Sequence, residues 1–245
     1  MQQLPPWLPT GTVYGTLMNF PCEQAALASQ MHDKPYGAPP KAPVLFIKTA
    51  NTFSANGSEI AIPAGVGAVQ VRASVFIVFL HSVSVKRSYD ASYSIAIGLM
   101  NDITIPHASF YRPPVKTKCV DGFLGVAAPH GSTLDALAGL TLQVRINGAL
   151  VQSIGYAQML RGAQQLIADV SEFADLRAGD VLMPSCPFDA PLARAGDVVE
   201  ISALGFETLR NTLVAAVGHF AAPASTTTSA SSATTGAATH SGGPT

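Results

Sequence analysis

The sequence predicts a mixed chain, mainly β with a few helices (α+β), and three observations carry that prediction. A run from Val69 to Phe79 begins with alternating and becomes continuously apolar, the pattern of a strand buried on both faces. A second alternating run, Leu140 to Ile146, leads into Asn147-Gly148, the residue pair that favours a two-residue type I′ hairpin, and Ala149 to Ser153 supplies the returning strand. Two nearly identical segments, Arg177-Ala178-Gly179-Asp180-Val181 and Arg194-Ala195-Gly196-Asp197-Val198, read as turns that enter strands.

The remaining elements follow in chain order. Pro21 to Met31 reads as a helix, with Cys22, Ala25, Ala26 and Ser29 at helical spacing. Val44-Leu45-Phe46-Ile47 is a short strand after a proline-rich lead at 38–43. Tyr89 to Ile97, before Gly98, reads as a second helix. Gln158 to Phe173 is the strongest helical pattern, its apolar stripe formed by Met159, Ala163, Leu166, Ile167, Val170 and Phe173. Val198 to Leu204 and Thr208 to Val214 pair around Gly205-Phe206. From Ala221 onward the chain is rich in Ser, Thr, Ala and Gly, nearly uncharged and without a hydrophobic period, which predicts a disordered tail. The organisation is therefore an N-terminal extension at 1–11, one domain at 12–220 and a low-complexity tail at 221–245.

Composition excludes several function classes. With 48% hydrophobic residues among 245, the body of the chain has enough apolar surface to fold. Only 12% of the residues are charged, which points to a buried subunit interface. The 14 basic and 15 acidic residues leave a net charge of -1, against a nucleic-acid binder. Cys22, Cys119 and Cys186 form no CxxC, as in a reduced cytoplasmic protein. The N-terminus lacks a basic segment followed by an apolar core, and the apolar run Val75–Leu80 is too short to cross a bilayer. The expectation is a cytoplasmic chain without nucleic-acid or membrane partners.

Nucleophile elbows, phosphate-binding glycine loops and zinc-binding His pairs are all missing from the sequence, and none of the six histidines lies at metal-ligand spacing from another. Cys119 reads as a small buried hydrophobe. The informative stretch is Asn101-Asp102-Ile103-Thr104 followed by 110–123, where Arg112, Lys116 and Lys118 cluster and Asp102 and Asp121 flank them. Spacing alone leaves two readings open, a solvated loop or an anion pocket with Arg as a bidentate carboxylate clamp and Lys as point charge or proton donor.

With these segments in order, the chain resembles the fumarylacetoacetate hydrolase family over about residues 12–215. The resemblance rests on Pro39 to Lys48, on Asn101-Asp102, and on Ser171-Glu172-Phe173-Ala174 before Leu176-Arg177-Ala178-Gly179-Asp180-Val181. Gly196 to Glu200 and Thr208-Leu209-Arg210-Asn211 close the pattern. Residues 110–123 are similar to the branch that acts in 4-hydroxyphenylacetate (homoprotocatechuate) degradation, an isomerase/decarboxylase of two homologous halves; Lys34 to Lys41 is most similar to its first half.

The resemblance implies a β roll or distorted sandwich with a few outer helices. It also implies decarboxylation of 5-carboxymethyl-2-oxohex-3-ene-1,7-dioate and isomerisation of the resulting 2-hydroxyhepta-2,4-diene-1,7-dioate. The family holds Mg²⁺ or Mn²⁺ with a Glu-x-Glu pair and an Asp after Asn, and the ion chelates the 2-oxo acid. Asp102 stands at the Asp ligand position, but Arg72 and Ser74 stand where the two glutamates belong. Met183 to Pro187 replaces the family's Thr-Gly-Thr-Pro loop, and Pro106 replaces an Arg. Lys118 is then the implied catalytic residue, Arg112, Lys116 and Asp121 the substrate-binding ones, and Asp102 the single retained ligand. The implied partner is a homologous second-half subunit in a homo- or hetero-oligomer such as a dimer. Two alternatives remain: a non-catalytic structural subunit beside a metal-bearing paralogue, or a carbon–carbon hydrolase of acylpyruvates. The guanidinium of Arg72 is expected to face Asp102 in place of the ion. With two ligands missing, calorimetry on the isolated chain is expected to show negligible Mg²⁺ binding at millimolar levels; a tighter stoichiometric site would contradict this.

Overall fold

Val69–Phe79 and Ile95–Thr104 form the two longest strands because both of their faces meet apolar surroundings. In the computed structural model, which describes residues 6–83, 94–107 and 114–216, they pair antiparallel with Arg72 opposite Asp102 and Ser74 opposite Met100. Odd-numbered residues of the first strand (Val71, Ala73, Val75, Ile77, Phe79) join the larger core, whereas Phe76 and Val78 join a smaller one on the other face.

In chain order the elements are β1 (Val13–Leu17), α1 (Pro21–Leu27), β2 (Val44–Lys48), β3 (Phe53–Ala55), β4 (Glu59–Ile62), β5 (Val69–Phe79), β6 (Ile95–Thr104), α2 (Val115–Lys118), β7 (Leu124–Val126), β8 (His130–Ser132) and α3 (Leu134–Ala138). They continue with β9 (Thr141–Ile146), β10 (Ala149–Gly155), α4 (Ala163–Ser171), β11 (Val181–Met183), β12 (Leu192–Ala193), β13 (Val198–Ser202) and β14 (Leu209–Ala215). One sheet of nine strands runs β2-β1-β11-β5-β6-β7-β3, with β12 added to β5 and β8 to β6. A second sheet of five runs β10-β9-β13-β14-β4. The larger core includes residues from both sheets and α4. Trp7 stacks on Phe76 with ring centroids 5.0 Å apart, so this part of the N-terminal extension packs against the domain.

The strands expected at 44–47, 69–79, 140–153 and 198–214 lie close to where periodicity places them, β1, β3, β4, β7, β8 and β12 are not among those expected, and the helices need correction. Asn147 and Gly148 have φ of 52° and 80°, the left-handed pair of the hairpin turn. The Tyr89–Ile97 helix is not formed as expected: Ile95 to Ile97 belong to β6, paired with Phe79 to Ile77, while 89–93 lie outside the described residues. A short apolar run satisfies both periods, and cross-strand pairing decides between them. Gly98 sits in this strand because a Cβ there would lie 2.4 Å from the Phe76 ring. In α1 the expected stripe of Cys22, Ala25, Ala26 and Ser29 is exposed; Glu23 and Leu27 are the buried pair, continued by Met31. The long C-terminal helix is shorter than expected, and Phe173 lies beyond it at 68% exposure. The tail at 221–245 lies outside the described residues. Among the described residues, no helix is long and apolar enough to cross a membrane.

The two Arg-Ala-Gly-Asp segments are the same turn in different surroundings. Gly179 and Gly196 take φ of 89° and 98°, and each Asp accepts the backbone N–H of its Arg, at 2.8 Å for Asp180 and 2.7 Å for Asp197. Asp180 is buried and also accepts Thr12 N–H at 2.7 Å, tying β11 to the start of β1. Asp197 is half-buried and accepts the Asn147 side-chain amide instead. Chemical denaturation should therefore show Asp180→Ala losing about 2–3 kcal/mol, since its two donors are left part-buried without a partner, and Asp197→Ala about 1 kcal/mol, since its two donors are exposed to water. Equal losses would mean that burial does not distinguish the two turns.

Candidate functional site

Even-numbered residues of β5 and β6 present polar groups to the smaller core, and these form the site. Asp102 is fully buried and accepts Lys48 Nζ on Oδ1 at 2.9 Å and Lys118 Nζ on Oδ2. Lys48 ends β2 and also donates to the carbonyls of Phe123, at 3.0 Å, and Lys118. Lys118 ends α2, donates to Thr104 Oγ1 at 2.9 Å, and lies 4.3 Å from the centre of the Phe46 ring. Burial works against the charge of Asp102, but the ammonium groups of Lys118 and Lys48 outweigh it and hold the carboxyl below its usual range. Burial also pushes the Lys118 ammonium down to about 8, against the pull of Asp102.

Arg72 does not take the partner expected of it. Its register opposite Asp102 is as expected, and it is buried, but Nη2 donates to Glu23 Oε1 at 3.3 Å and to the Cys186 carbonyl at 3.5 Å. The lysines already occupy both oxygens of Asp102, and the long arginine side chain pairs instead with the acid carried by α1. Glu23 also accepts Asn19 N–H at 3.2 Å and Ser185 Oγ at 2.8 Å. Burial nevertheless raises its carboxyl above the ordinary value, because Arg72 and the hydrogen bonds only partly offset the lost hydration. Ser74 donates to the Ser185 carbonyl at 2.8 Å and contacts the Tyr156 hydroxyl at 3.0 Å. Ser185 has φ of 112°, a conformation that costs a non-glycine residue about 1–3 kcal/mol. Cys186 is buried, and burial lifts its thiol to about 11, so it is a protonated packing group at neutral pH.

The structure brings Asp102, Lys118, Arg72 and Ser74 into one buried cluster. Lys116 and Asp121 lie exposed outside it, and Asp121 accepts the Asn51 side-chain amide at 2.6 Å. Arg112 lies outside the described residues. Cys119 is partly exposed rather than buried, its thiol on the Ile47 carbonyl. Lys48 and Glu23 were missed as site residues. Lys48 had a readable signal: a charge following Phe46 at strand period on the inward face of an apolar run. Glu23 had none, since the small residues of α1 drew the stripe onto the wrong face.

These residues do not fit a divalent ion. Of the three positions expected from the resemblance to hold ligands, 72, 74 and 102, only Asp102 is a carboxylate; both its oxygens accept ammonium groups, and the residue opposite it is a guanidinium. Among the described residues, no group of three or more His, Cys, Asp or Glu side chains could hold a metal.

A pH dependence follows from Lys118. Between about pH 8 and 10.5 the unfolded chain holds a proton that native Lys118 has released, so native stability rises with pH there; below about 8 both states are protonated and the burial cost is undiminished. Urea denaturation of the natural chain and of Lys118→Met should show the difference shifting toward the natural chain by on the order of 1–3 kcal/mol between about pH 7 and 10. A constant difference would mean that Lys118 keeps its ordinary basicity.

The comparisons with known proteins agree with this architecture. The family profile described as fumarylacetoacetate (FAA) hydrolase C-terminal matches residues 12–214. The 4-hydroxyphenylacetate degradation bifunctional isomerase/decarboxylases of Salmonella dublin and Escherichia coli are 38% and 34% identical over 84% and 83% of this chain. The match covers 47% of each, so the chain spans about half the length of these curated relatives. A fumarylacetoacetate hydrolase family protein from Yersinia pestis superposes with a TM-score of 0.71 at 23% identity, over 84% of this chain and 94% of that one. A fumarylpyruvate hydrolase from Pseudomonas aeruginosa, solved in complex with Mn²⁺ and pyruvate, superposes at 0.68 with 15% identity, over 85% and 91%. With a profile that spans the whole domain and sheets that superpose on those of known members, the chain belongs to the fumarylacetoacetate hydrolase family.

Proposed function

We propose that the chain is the first-half subunit of an isomerase/decarboxylase of 4-hydroxyphenylacetate degradation, assembled with a homologous, metal-bearing second half. The observation that carries this reading is the 38% identity over 84% of the chain against only 47% of a two-activity relative. The assembled enzyme would decarboxylate 5-carboxymethyl-2-oxohex-3-ene-1,7-dioate, the bond pair passing into the conjugated 2-oxo system. It would then move a proton to convert 2-hydroxyhepta-2,4-diene-1,7-dioate to its 2-oxo-enoate. In a catalytic role, Lys118 is this chain's proton carrier, Arg112 the clamp for a distal carboxylate, and Lys116 and Asp121 contribute at the rim.

A second reading, a structural subunit that supports the partner's centre, is favoured by one observation. Lys118 is buried and bonded to Asp102 and Thr104, so it must leave both before it can reach a substrate. Decarboxylation assayed on the chain alone, on a homologous half carrying Glu-x-Glu, and on the two together tests the assembly: activity is expected from the pair and not from this chain alone. In the pair, Lys118→Met lowers kcat roughly a hundredfold or more if Lys118 moves the proton, and leaves kcat nearly unchanged in the structural role. Full turnover by the second half alone, with no complex formed, would reject both readings.

A further inference from the structure

We propose that the family's metal centre has been rebuilt in this chain as a metal-independent pin: Arg72 and Ser74, at two ligand positions, hold the backbone of the Met183–Pro187 strap instead of an ion. Four consecutive carbonyls of the strap are each taken by a different buried side chain. Thr16 Oγ1 donates to Met183 O at 3.0 Å, Asn19 Nδ2 to Pro184 O at 2.9 Å, Ser74 Oγ to Ser185 O at 2.8 Å and Arg72 Nη2 to Cys186 O at 3.5 Å. All four donors are at most 3% exposed. A loop that opens to admit a ligand leaves its backbone groups to water, whereas these carbonyls are consumed one by one in a dry interior.

The network extends beyond the strap. Val75 N–H donates to the Tyr156 oxygen at 2.8 Å, the Tyr156 hydroxyl meets Ser74 Oγ at 3.0 Å, and the Ser74 hydroxyl lies within hydrogen-bond reach of the Ser185 and Val75 carbonyls at 2.8 Å and 2.9 Å. Glu23 closes the remaining side: one oxygen accepts Ser185 Oγ and the other accepts Arg72. Two glutamates at 72 and 74 could not make these bonds, because a carboxylate has no hydrogen to give a carbonyl. The exchange of acid for donor thus does two things: it removes ligands, and it supplies the hydrogens that close the strap. The pin is made of this chain's own residues, whether or not a partner half is bound.

Cys186 reports on the strap directly, being buried within it, while the other two cysteines can be removed. In the full-length chain carrying Cys22→Ser and Cys119→Ser, modification of Cys186 by dithiobis(nitrobenzoate) measures strap opening under native conditions. Ser74→Ala and Arg72→Met are expected to raise that rate at least roughly tenfold, with cooperative melting retained in the Ser74→Ala chain, while Mn²⁺ or a chelator leaves the parent rate unchanged. If Arg72→Met does not fold, the milder Ser74→Ala decides. An unchanged rate in folded Ser74→Ala, or a parent rate that Mn²⁺ slows, would overturn the proposal.

Discussion

The carboxylate of Asp102 constrains the centre of this molecule. It lies on a strand buried on both faces, with no water to hydrate its charge. A lone carboxylate there would be protonated or would unfold the strand; two ammonium groups, one from each side, let it remain ionised. That requirement places the ends of β2 and α2, which carry Lys48 and Lys118, against β6. Lys48 then ties the α2–β7 connection by donating to the carbonyls of Lys118 and Phe123.

With both oxygens of Asp102 committed, the arginine across the ladder must find another acid. Glu23 meets that need at the cost of its own hydration, and its second oxygen holds Ser185 in a backbone conformation that the residue would otherwise avoid. The two halves of the cluster therefore have different consequences. The lysine half secures one edge of the sheet, and the Arg72–Glu23 half secures the strap after β11. Neither leaves a group of three or more free carboxylates among the described residues.

Several residue choices elsewhere serve the same packing. Gly98 and Gly15 admit the rings of Phe76 and Phe46, which would otherwise meet a Cβ within 2.4 Å and 2.2 Å. Phe46 in turn forms the apolar face beneath the Lys118 ammonium. The charged cluster thus sits against large aromatic side chains, and that burial draws the Lys118 pKa down to about 8.

The sequence by itself determined β2, β5, the β9–β10 hairpin, the β13–β14 pair, the two Arg-Ala-Gly-Asp turns and the family. Each of these depends on local period, on turn chemistry or on motifs read in order, and none needs a distant contact. It also singled out Asp102 and Lys118 as a charged cluster, and the resemblance drew attention to Arg72 and Ser74 as departures from the family pattern. Only the tertiary structure decided the partners. Whether Ile95–Ile97 becomes helix or strand depends on β5 lying beside it. Whether Arg72 pairs with Asp102 or Glu23 depends on which side chains reach Asp102 first, and Lys48 and Glu23 come from segments 54 and 49 residues away in the chain. Charge pairing in a dry interior is settled by distance and by competition among all neighbours, and a linear sequence records neither.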